Sequence, residues 1–191
     1  MDTRLLLVSH ASTAAMRAGR FPADDPLDER GLAEATAARE RLSIARDATV
    51  FVSPALCARA TASALGLAAT VASELADIDY GQWHGRRLAD LAVEAPQDLA
   101  AWTCDPDAAA HGGESFSQLV KRIGQWLDAP GDASNDARSV VGVTHAPVIR
   151  AAIVHALGAS PAVFPRIEIA PLSVIELRRS PRGWAWWPAR Q

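Results

Sequence analysis

Residues 4–10 read Arg-Leu-Leu-Leu-Val-Ser-His, and residues 139–145 read Ser-Val-Val-Gly-Val-Thr-His. Each stretch is a short run of β-favouring apolar residues that ends on a histidine. Such a run, bounded by polar or turn-forming residues, is typical of a strand buried in a parallel sheet. Because ligands of open α/β sheets bind at the carboxyl ends of the strands, we expect His10 and His145 to meet over one ligand.

The rest of the chain alternates predicted strands with predicted helices. We expect further strands near residues 49–52, 69–72, 166–169, 173–177 and 183–187, and helices near residues 29–42, 54–67, 88–94, 116–127 and 147–157. Ser53 is a candidate N-cap, and Pro54 suits the first turn of the helix that follows it. The alternation predicts an α/β fold with a mostly parallel central sheet. No repeat or linker divides the sequence, so residues 1–191 are expected to form one domain.

Composition and charge narrow the classes of partner. The 191 residues carry a net charge of −3, and this balance provides no basic field for nucleic acid or an anionic membrane surface. The longest apolar runs fall short of the roughly 20 residues of a membrane span. The first run is interrupted by Ser9 and His10, unlike a secretory signal, so we predict a cytoplasmic protein. We expect a monomer or a homodimer.

The two cysteines, Cys57 and Cys104, are far apart and follow no metal-ligand spacing. They are expected to be buried, reduced thiols rather than a disulfide. Two histidines with no carboxylate or cysteine at short spacing also make a poor zinc signature. A nucleophilic imidazole beside a second, charge-stabilising imidazole fits the pair better.

Two further side chains are candidates for the same site. Arg59 lies one turn beyond a predicted strand, near the positive end of its helix. Its guanidinium can contribute to an anion-binding site there, or it can be an ordinary solvent-exposed arginine of the helix. Asp77 follows the third predicted strand between apolar neighbours, and a carboxyl shielded in this way has a raised pKa and can donate a proton. Asp79 competes with Asp77 for that role.

Taken in order, six segments resemble the motifs of the histidine phosphatase superfamily, also called the phosphoglycerate mutase-like family. Residues 9–13 resemble its Arg-His-Gly-x-Thr motif, and residues 53–64 resemble Ser-x-Leu-x-Arg-Ala-x-Gln-Thr-Ala. The other four matches are residues 25–31 (Asp-x-Pro-Leu-Thr-x-x-Gly), 75–85 (Leu-x-Glu-x-x-x-Gly-x-Trp-Glu-Gly), 112–115 (Gly-Gly-Glu-Ser) and 143–145 (the second histidine). The resemblance covers residues 4 to about 177 and implies a three-layer α/β/α, phosphoglycerate mutase-like fold.

The resemblance also implies a reaction. It is the hydrolysis of a small phosphorylated metabolite, with no metal or other cofactor. His10 would attack phosphorus to form a phosphohistidine, and Asp77, where the family usually has glutamate, would protonate the leaving oxygen and then activate water. Arg59 and His145 would stabilise the phosphoryl group, usually the largest catalytic effect. Further contacts to phosphate or substrate would come from Ser9, Ser12, Thr13, Arg20, His84 and Ala146.

The main departure from the family pattern is Ser9, which stands where the opening motif has arginine. A serine hydroxyl cannot replace the bidentate fork of a guanidinium. Hydrogen bonds to charged groups contribute roughly 1.5–3 kcal/mol, so the loss is large enough to matter. Met16 stands at a position where the mutases often have a phosphate-contacting asparagine, which argues against mutase activity.

Three interpretations follow from this departure. In the first, the protein is a phosphatase whose missing cation comes from Arg20, Arg150 or a basic substrate. In the second, it is an altered enzyme for a less charged or unusual phosphate ester. In the third, it is a catalytically impaired pseudophosphatase that binds a phosphorylated ligand or protein partner. A nucleophile and an acid retained together favour an enzyme, because a binding protein needs neither.

Overall fold

The computed structural model describes residues 3–45, 47–129 and 139–188. One six-stranded sheet is formed by β1 (Thr3–Ser9), β2 (Thr49–Val52), β3 (Thr70–Val71), β4 (Ser139–Thr144), β5 (Val174–Ser180) and β6 (Gly183–Trp187). The strand order across the sheet is β3-β2-β4-β1-β5-β6. The first four strands in that order are mutually parallel, whereas β5 runs antiparallel to both β1 and β6. The predicted mostly parallel sheet is confirmed.

Helices connect the strands and cover the sheet. They are α1 (Ala14–Arg17), α2 (Glu29–Ala38), α3 (Leu56–Ala64), α4 (Leu88–Glu94), α5 (Pro96–Cys104), α6 (Phe116–Asp128) and α7 (Ala146–Ala156). Short 3₁₀ turns lie at Ser73–Leu75, Gly81–Trp83 and Pro161–Arg166. Within the described part of the chain, no helix is long and apolar enough to cross a membrane.

The alternation of side chains along β1 builds the layers. Successive residues of a strand point to opposite faces, so Leu5 and Leu7 face one side and Leu6 and Val8 the other. Leu5 and Leu7 belong to an apolar cluster that includes buried residues of α6 and α7. Leu6 and Val8 belong to a second cluster, with residues from α2 and α3. The sheet is therefore covered by helices on both faces, and the three-layer α/β/α prediction is confirmed.

Several local predictions were wrong. Helix α3 begins at Leu56 with Ala55 as its N-cap, and Ser53 and Pro54 precede it. The strand expected at residues 166–169 is absent. Pro161–Arg166 forms a 3₁₀ turn instead, and residues 167–170 have no regular structure. Helices α1 and α5 were not predicted. The polar composition of residues 130–138 predicts a loop there, and these residues lie outside those that the structure describes.

The cysteine and tryptophan predictions also need correction. Both cysteines are free thiols, but only Cys57 is buried, while Cys104 is exposed at the end of α5. The sequence predicts the six tryptophans as core and lid residues, and those at 184–187 as a cover for a sheet edge or a dimer contact. Trp83 and Trp126 are indeed buried, whereas Trp186 and Trp187 lie exposed on the edge strand β6.

Candidate active site

The two histidines that follow β1 and β4 meet at one cavity of about 410 Å³. The strands are neighbours in parallel register, with Ser9 opposite Thr144, so they end side by side. As a result the His10 and His145 rings lie 5.0 Å apart between centroids, at an angle of 65°. The expectation that both would stand over one site agrees with this geometry.

The environment of His10 leaves one ring nitrogen free. Its Nδ1 lies 2.7 Å from the carbonyl oxygen of Ala11, and since a carbonyl only accepts, Nδ1 carries the hydrogen. The lone pair is then on Nε2. Burial, and next the neighbouring His145, lower the pKa of His10 from its ordinary value. His10 is therefore a neutral imidazole, the form that can act as a nucleophile or bind a metal.

In His145 the other ring nitrogen, Nε2, is the one that is hydrogen-bonded. Its Nε2 lies 2.8 Å from the hydroxyl oxygen of Ser53, at the end of β2. Its Nδ1 has no hydrogen-bond partner but lies 3.3 Å from Oδ2 of Asp77. Burial, with Arg122 as a further cause, lowers the pKa of His145 to about 4. His145 is thus a second neutral ring, with Nδ1 beside the acid.

Asp77 rather than Asp79 stands beside the histidines. Oδ1 of Asp77 accepts the backbone N–H of Ile78 at 2.9 Å, and burial raises the pKa of this carboxyl to about 6. The Asp79 side chain is 63% exposed and accepts the N–H of Gly81 at 2.8 Å. The geometry therefore assigns the shielded carboxyl to Asp77.

Arg122 on α6 holds the segment that carries Asp77. Its guanidinium donates to the carbonyl oxygens of Glu74 and Ala76, at 2.6 and 3.0 Å, and to that of Asp77 at 3.3 Å. It also donates to both carboxylate oxygens of Glu114, at 2.9 and 2.6 Å. Arg122 is thus a positioning residue for Asp77. Glu114, in the Gly-Gly-Glu-Ser segment, orients that arginine rather than lining the cavity.

The other predicted site residues divide into two groups. The cavity is lined by Thr13, Arg20, His84 and Ala146. Ser9 is buried in the sheet and Ser12 is half-buried, and neither lines the cavity. The carbonyl of Ser12 instead packs on Gly31, where an added Cβ would lie only 2.1 Å from that oxygen. Arg150, considered as a substitute cation, lines a separate cavity and lies 3.7 Å from Glu168.

Arg59 does not reach the cavity, and Cys57 does. Both residues lie on α3, so positions 57 and 59 point about 200° apart around the helix axis. Arg59 is consequently exposed, whereas Cys57 is buried against the site. Counted residue by residue from Ser53, the Ser-x-Leu-x-Arg motif also places Cys57, not Arg59, at its arginine.

Thr61 holds the backbone at Cys57 close to the segment that carries His10. The Thr61 hydroxyl donates to the Cys57 carbonyl at 2.7 Å and accepts the N–H of Ala11 at 3.0 Å. This bridge ties α3 to the segment that carries His10. Burial, and next the charge of Asp77, raise the pKa of the Cys57 thiol to about 12. The thiol is therefore neutral as it stands.

The charge of the cavity was not predicted from the sequence. Its lining includes four carboxyl side chains and one guanidinium, those of Asp24, Asp25, Asp77, Asp79 and Arg20. Arg20 lies 3.9 Å from Asp25, so its charge is partly balanced. The side chain of Tyr80 also faces the cavity, and burial raises its pKa well above the usual value. With both histidines neutral, the cavity carries a net negative charge.

Two strand-end histidines therefore meet a shielded acid at the rim of an α/β sheet, which is the arrangement that the sequence resemblance implies. The family model for the histidine phosphatase superfamily (branch 1) matches residues 5–187. The chain belongs to that superfamily. In structure it resembles the mycobacterial glucosyl-3-phosphoglycerate phosphatase, with a TM-score of 0.83 and 27% identity over 97% of both chains.

Relatives in sequence carry several names. An adenosylcobalamin/alpha-ribazole phosphatase of Salmonella typhimurium is 30% identical over 153 residues, 76% of this chain and 75% of the relative. A bifunctional protein of Mycobacterium tuberculosis is 29% identical over 183 residues, 91% of this chain. The chain spans about half the length of that bifunctional relative, since the match covers 50% of it.

Proposed function

We propose that the protein hydrolyses phosphomonoesters of small metabolites through a phosphohistidine on His10. One observation carries this proposal, the meeting of His10 with a second histidine and a shielded acid. The ring of His145 lies 5.0 Å from that of His10, and Asp77 lies 3.3 Å from His145. Membership of the superfamily and the phosphatase names of its relatives support the same class of reaction.

In the first half-reaction, the lone pair on Nε2 of His10 attacks phosphorus in line with the ester oxygen. The bond between phosphorus and that oxygen breaks, and Asp77 gives its proton to the oxygen so that an alcohol leaves. In the tautomer of His145 that has its hydrogen on Nδ1, the Ser53 hydroxyl donates a hydrogen bond to Nε2, and Nδ1 donates one to a phosphoryl oxygen. Donors placed where charge develops lower the barrier most effectively.

In the second half-reaction, water takes the place of the alcohol. The Asp77 carboxylate accepts a proton from that water, and the water oxygen bonds to phosphorus. The bond between phosphorus and Nε2 of His10 breaks. Inorganic phosphate leaves, and His10 and protonated Asp77 are restored. A carboxyl with a pKa of about 6 exchanges protons readily in both directions near neutral pH.

The cavity supports a small substrate with a polar or cationic portion. A volume of about 410 Å³ lies within the usual range for small-molecule sites. Asp24, Asp25 and Asp79 line it outside the reacting centre and favour hydroxyl or ammonium groups on the substrate. The names of two relatives, glucosyl-3-phosphoglycerate phosphatase and alpha-ribazole phosphatase, support a phosphorylated sugar or nucleoside-like metabolite.

Binding without turnover is a second candidate function, and a specific observation favours it. Ser9 and Cys57 stand at the two motif positions where the family has arginine. Arg20 is the one guanidinium in the cavity lining, among the residues that the structure describes. An arginine that stabilises the transition state of phosphoryl transfer can raise the rate about 10³–10⁵-fold. The loss of both motif arginines therefore weakens catalysis more than binding.

A screen of phosphomonoesters distinguishes the two functions. The full chain is assayed for phosphate release from sugar, nucleoside and amino-alcohol phosphates, with a chelator present. Turnover that His10→Ala lowers by about 10³-fold or more supports the hydrolase. Tight calorimetric binding of a phosphorylated compound without release of phosphate contradicts it and supports the binding protein.

A further inference from the structure

His10, Cys57 and His145 form a compact group of metal-ligand atoms. One nitrogen from each ring and the Cys57 sulfur all lie within 4.8 Å of one another. All three side chains are buried. No metal-ligand spacing is visible along the chain, because the donors come from three separate segments, after β1, at the start of α3 and after β4. Only the fold brings them together.

Hydrogen bonds leave one nitrogen of each ring available for a metal. Nδ1 of His10 is bound to the Ala11 carbonyl, and Nε2 of His145 to the Ser53 hydroxyl. Histidines that bind metals almost always use their other nitrogen in this way, which fixes the ring orientation. Nδ1 of His145 is buried without a hydrogen-bond partner. When Nε2 of His145 carries the hydrogen and donates it to the Ser53 hydroxyl, Nδ1 has a free lone pair that a metal can bind; this tautomer differs from the one that donates to a phosphoryl oxygen.

The charge of the cavity also favours a cation. Among the described residues, four carboxyl groups and one guanidinium line it. The motif position that would supply a cation from α3 carries the Cys57 thiol instead. A divalent ion at this point restores the missing positive charge. The attraction of such an ion to Asp77, which is partly buried beside His145, is screened less than its attraction to the exposed Asp24 and Asp79.

We propose that His10, Cys57 and His145 form a zinc site that keeps its fourth position open toward the cavity. A thiolate with two imidazoles is a ligand set that zinc prefers, and three protein ligands plus an open position are typical of catalytic zinc sites. On a tetrahedral zinc, such ligand atoms lie about 3.4–3.6 Å apart, so from separations within 4.8 Å each pair approaches by at most about 1.4 Å on binding. Cys57 binds as a thiolate, and its proton is released to solvent. The open position faces the cavity lined by Asp77.

This inference goes beyond the proposed phosphatase function. Nε2 of His10 cannot bond to zinc and to phosphorus at the same time. Zinc occupancy and the phosphohistidine therefore exclude each other, and zinc inhibits phosphorylation of His10. Removal of the metal restores the nucleophile. The zinc site exists whether or not the chain turns over phosphomonoesters.

Cobalt is the probe that reads the ligands directly, without an activity assay. Co²⁺ is added to the chelator-treated, dialysed full chain as Cys104→Ser, in which Cys57 is the remaining cysteine. We expect a thiolate-to-cobalt charge-transfer band and tetrahedral visible bands that saturate at one Co²⁺ per chain. Zn²⁺ should abolish these bands by displacement. Because Cys57 is intact here, the result does not depend on a Cys57 variant folding.

The Cys57→Ser variant completes the test, with far-ultraviolet circular dichroism as its folding control. It should lose the charge-transfer band and bind Zn²⁺ at least about 100-fold more weakly, since even the loss of an outer-shell partner costs 10–100-fold. Absence of the band in Cys104→Ser overturns the proposal, as does a band of unchanged strength in folded Cys57→Ser. Phosphatase activity is assayed separately with a chelator, so failure of one proposal is distinguishable from failure of the other.

Discussion

Nδ1 of His145 lies 3.3 Å from Oδ2 of Asp77, inside a cavity that also contains the free nitrogen of His10. This contact joins the segment after β4 to the segment after β3, on the side of the sheet where the parallel strands end. It places an acid of raised pKa beside two neutral imidazoles.

Asp77→Asn should remove the proton donor while leaving the nucleophile in place. We expect kcat to fall by about 10²–10⁴ for alkyl phosphates, the range for loss of a general acid or base. Esters with good leaving groups should lose less in the first half-reaction, because their alcohols depart without protonation. Steady-state and burst kinetics measure both effects.

Asp79→Asn is the matched control for the acid. Its side chain is exposed, so we expect kcat within a few-fold of the unmodified chain. If Asp79→Asn instead lost as much activity as Asp77→Asn, the assignment of the acid would be wrong.

Cys57→Arg should restore a phosphate-binding cation from α3. A charge-assisted hydrogen bond contributes about 1.5–3 kcal/mol, so KM for a phosphomonoester dianion should fall about tenfold or more. The cavity has room for the longer side chain, at about 410 Å³. The assay contains a chelator, since this variant also lacks the thiol ligand.

Cys57→Gln is the uncharged comparison for that variant. It adds length and hydrogen-bonding capacity without positive charge, so it should leave KM close to its original value. An equal gain from both substitutions would show that volume, not charge, limits phosphate binding.

Arg122→Ala should loosen the segment that carries Asp77. It removes bonds to three backbone carbonyls and to Glu114, and we expect a loss of about 2 kcal/mol or more in the free energy of unfolding. A positioning role predicts that kcat falls more than KM rises. Arg122→Lys should rescue little, because lysine cannot reproduce the planar fork. Full recovery of kcat by lysine would contradict this role.

Glu176→Gln should destabilise the fold in a pH-dependent way. Burial alone would raise the pKa of Glu176, but hydrogen bonds from Arg4 and Arg178 outweigh it and lower the pKa. A lowered folded-state pKa means that the stabilisation is complete above the unfolded value of about 4.3 and is lost as pH falls through the folded value. Chemical denaturation should therefore show a gap of about 1–3 kcal/mol at pH 7 that shrinks in acid. A gap that stays constant down to pH 2 would contradict the assignment.

Much of the fold and the centre of the site could be predicted from the sequence. Apolar runs at residues 4–8 and 139–143 identify buried parallel strands, and parallel neighbours end at the same edge of a sheet. The histidines after them were therefore expected together, and their rings are 5.0 Å apart. The loop acid Asp77 followed from its apolar neighbours, although only the structure separates it from Asp79.

Other parts of the site depend on geometry that the sequence does not contain. Matching the motif's arginine to Arg59 rather than to Cys57 displaced the expected phosphate ligand by two residues, which is about 200° around α3. The group of His10, Cys57 and His145 also escaped prediction, since its donors are far apart along the chain. Counting the Ser-x-Leu-x-Arg motif strictly from Ser53 was the one available signal for Cys57.

Trapping of labelled phosphate on His10 tests the central claim most directly. The chelator-treated chain is mixed with labelled phosphomonoesters, quenched in alkali, and analysed by peptide mass spectrometry, with His10→Ala as the control. We predict an alkali-stable, acid-labile phosphoryl group on His10 in the unmodified chain. With esters that have good leaving groups, the Asp77→Asn variant should accumulate more of this phosphorylated His10. Release of phosphate without any labelled His10, or labelling that persists in His10→Ala, would contradict the phosphohistidine mechanism.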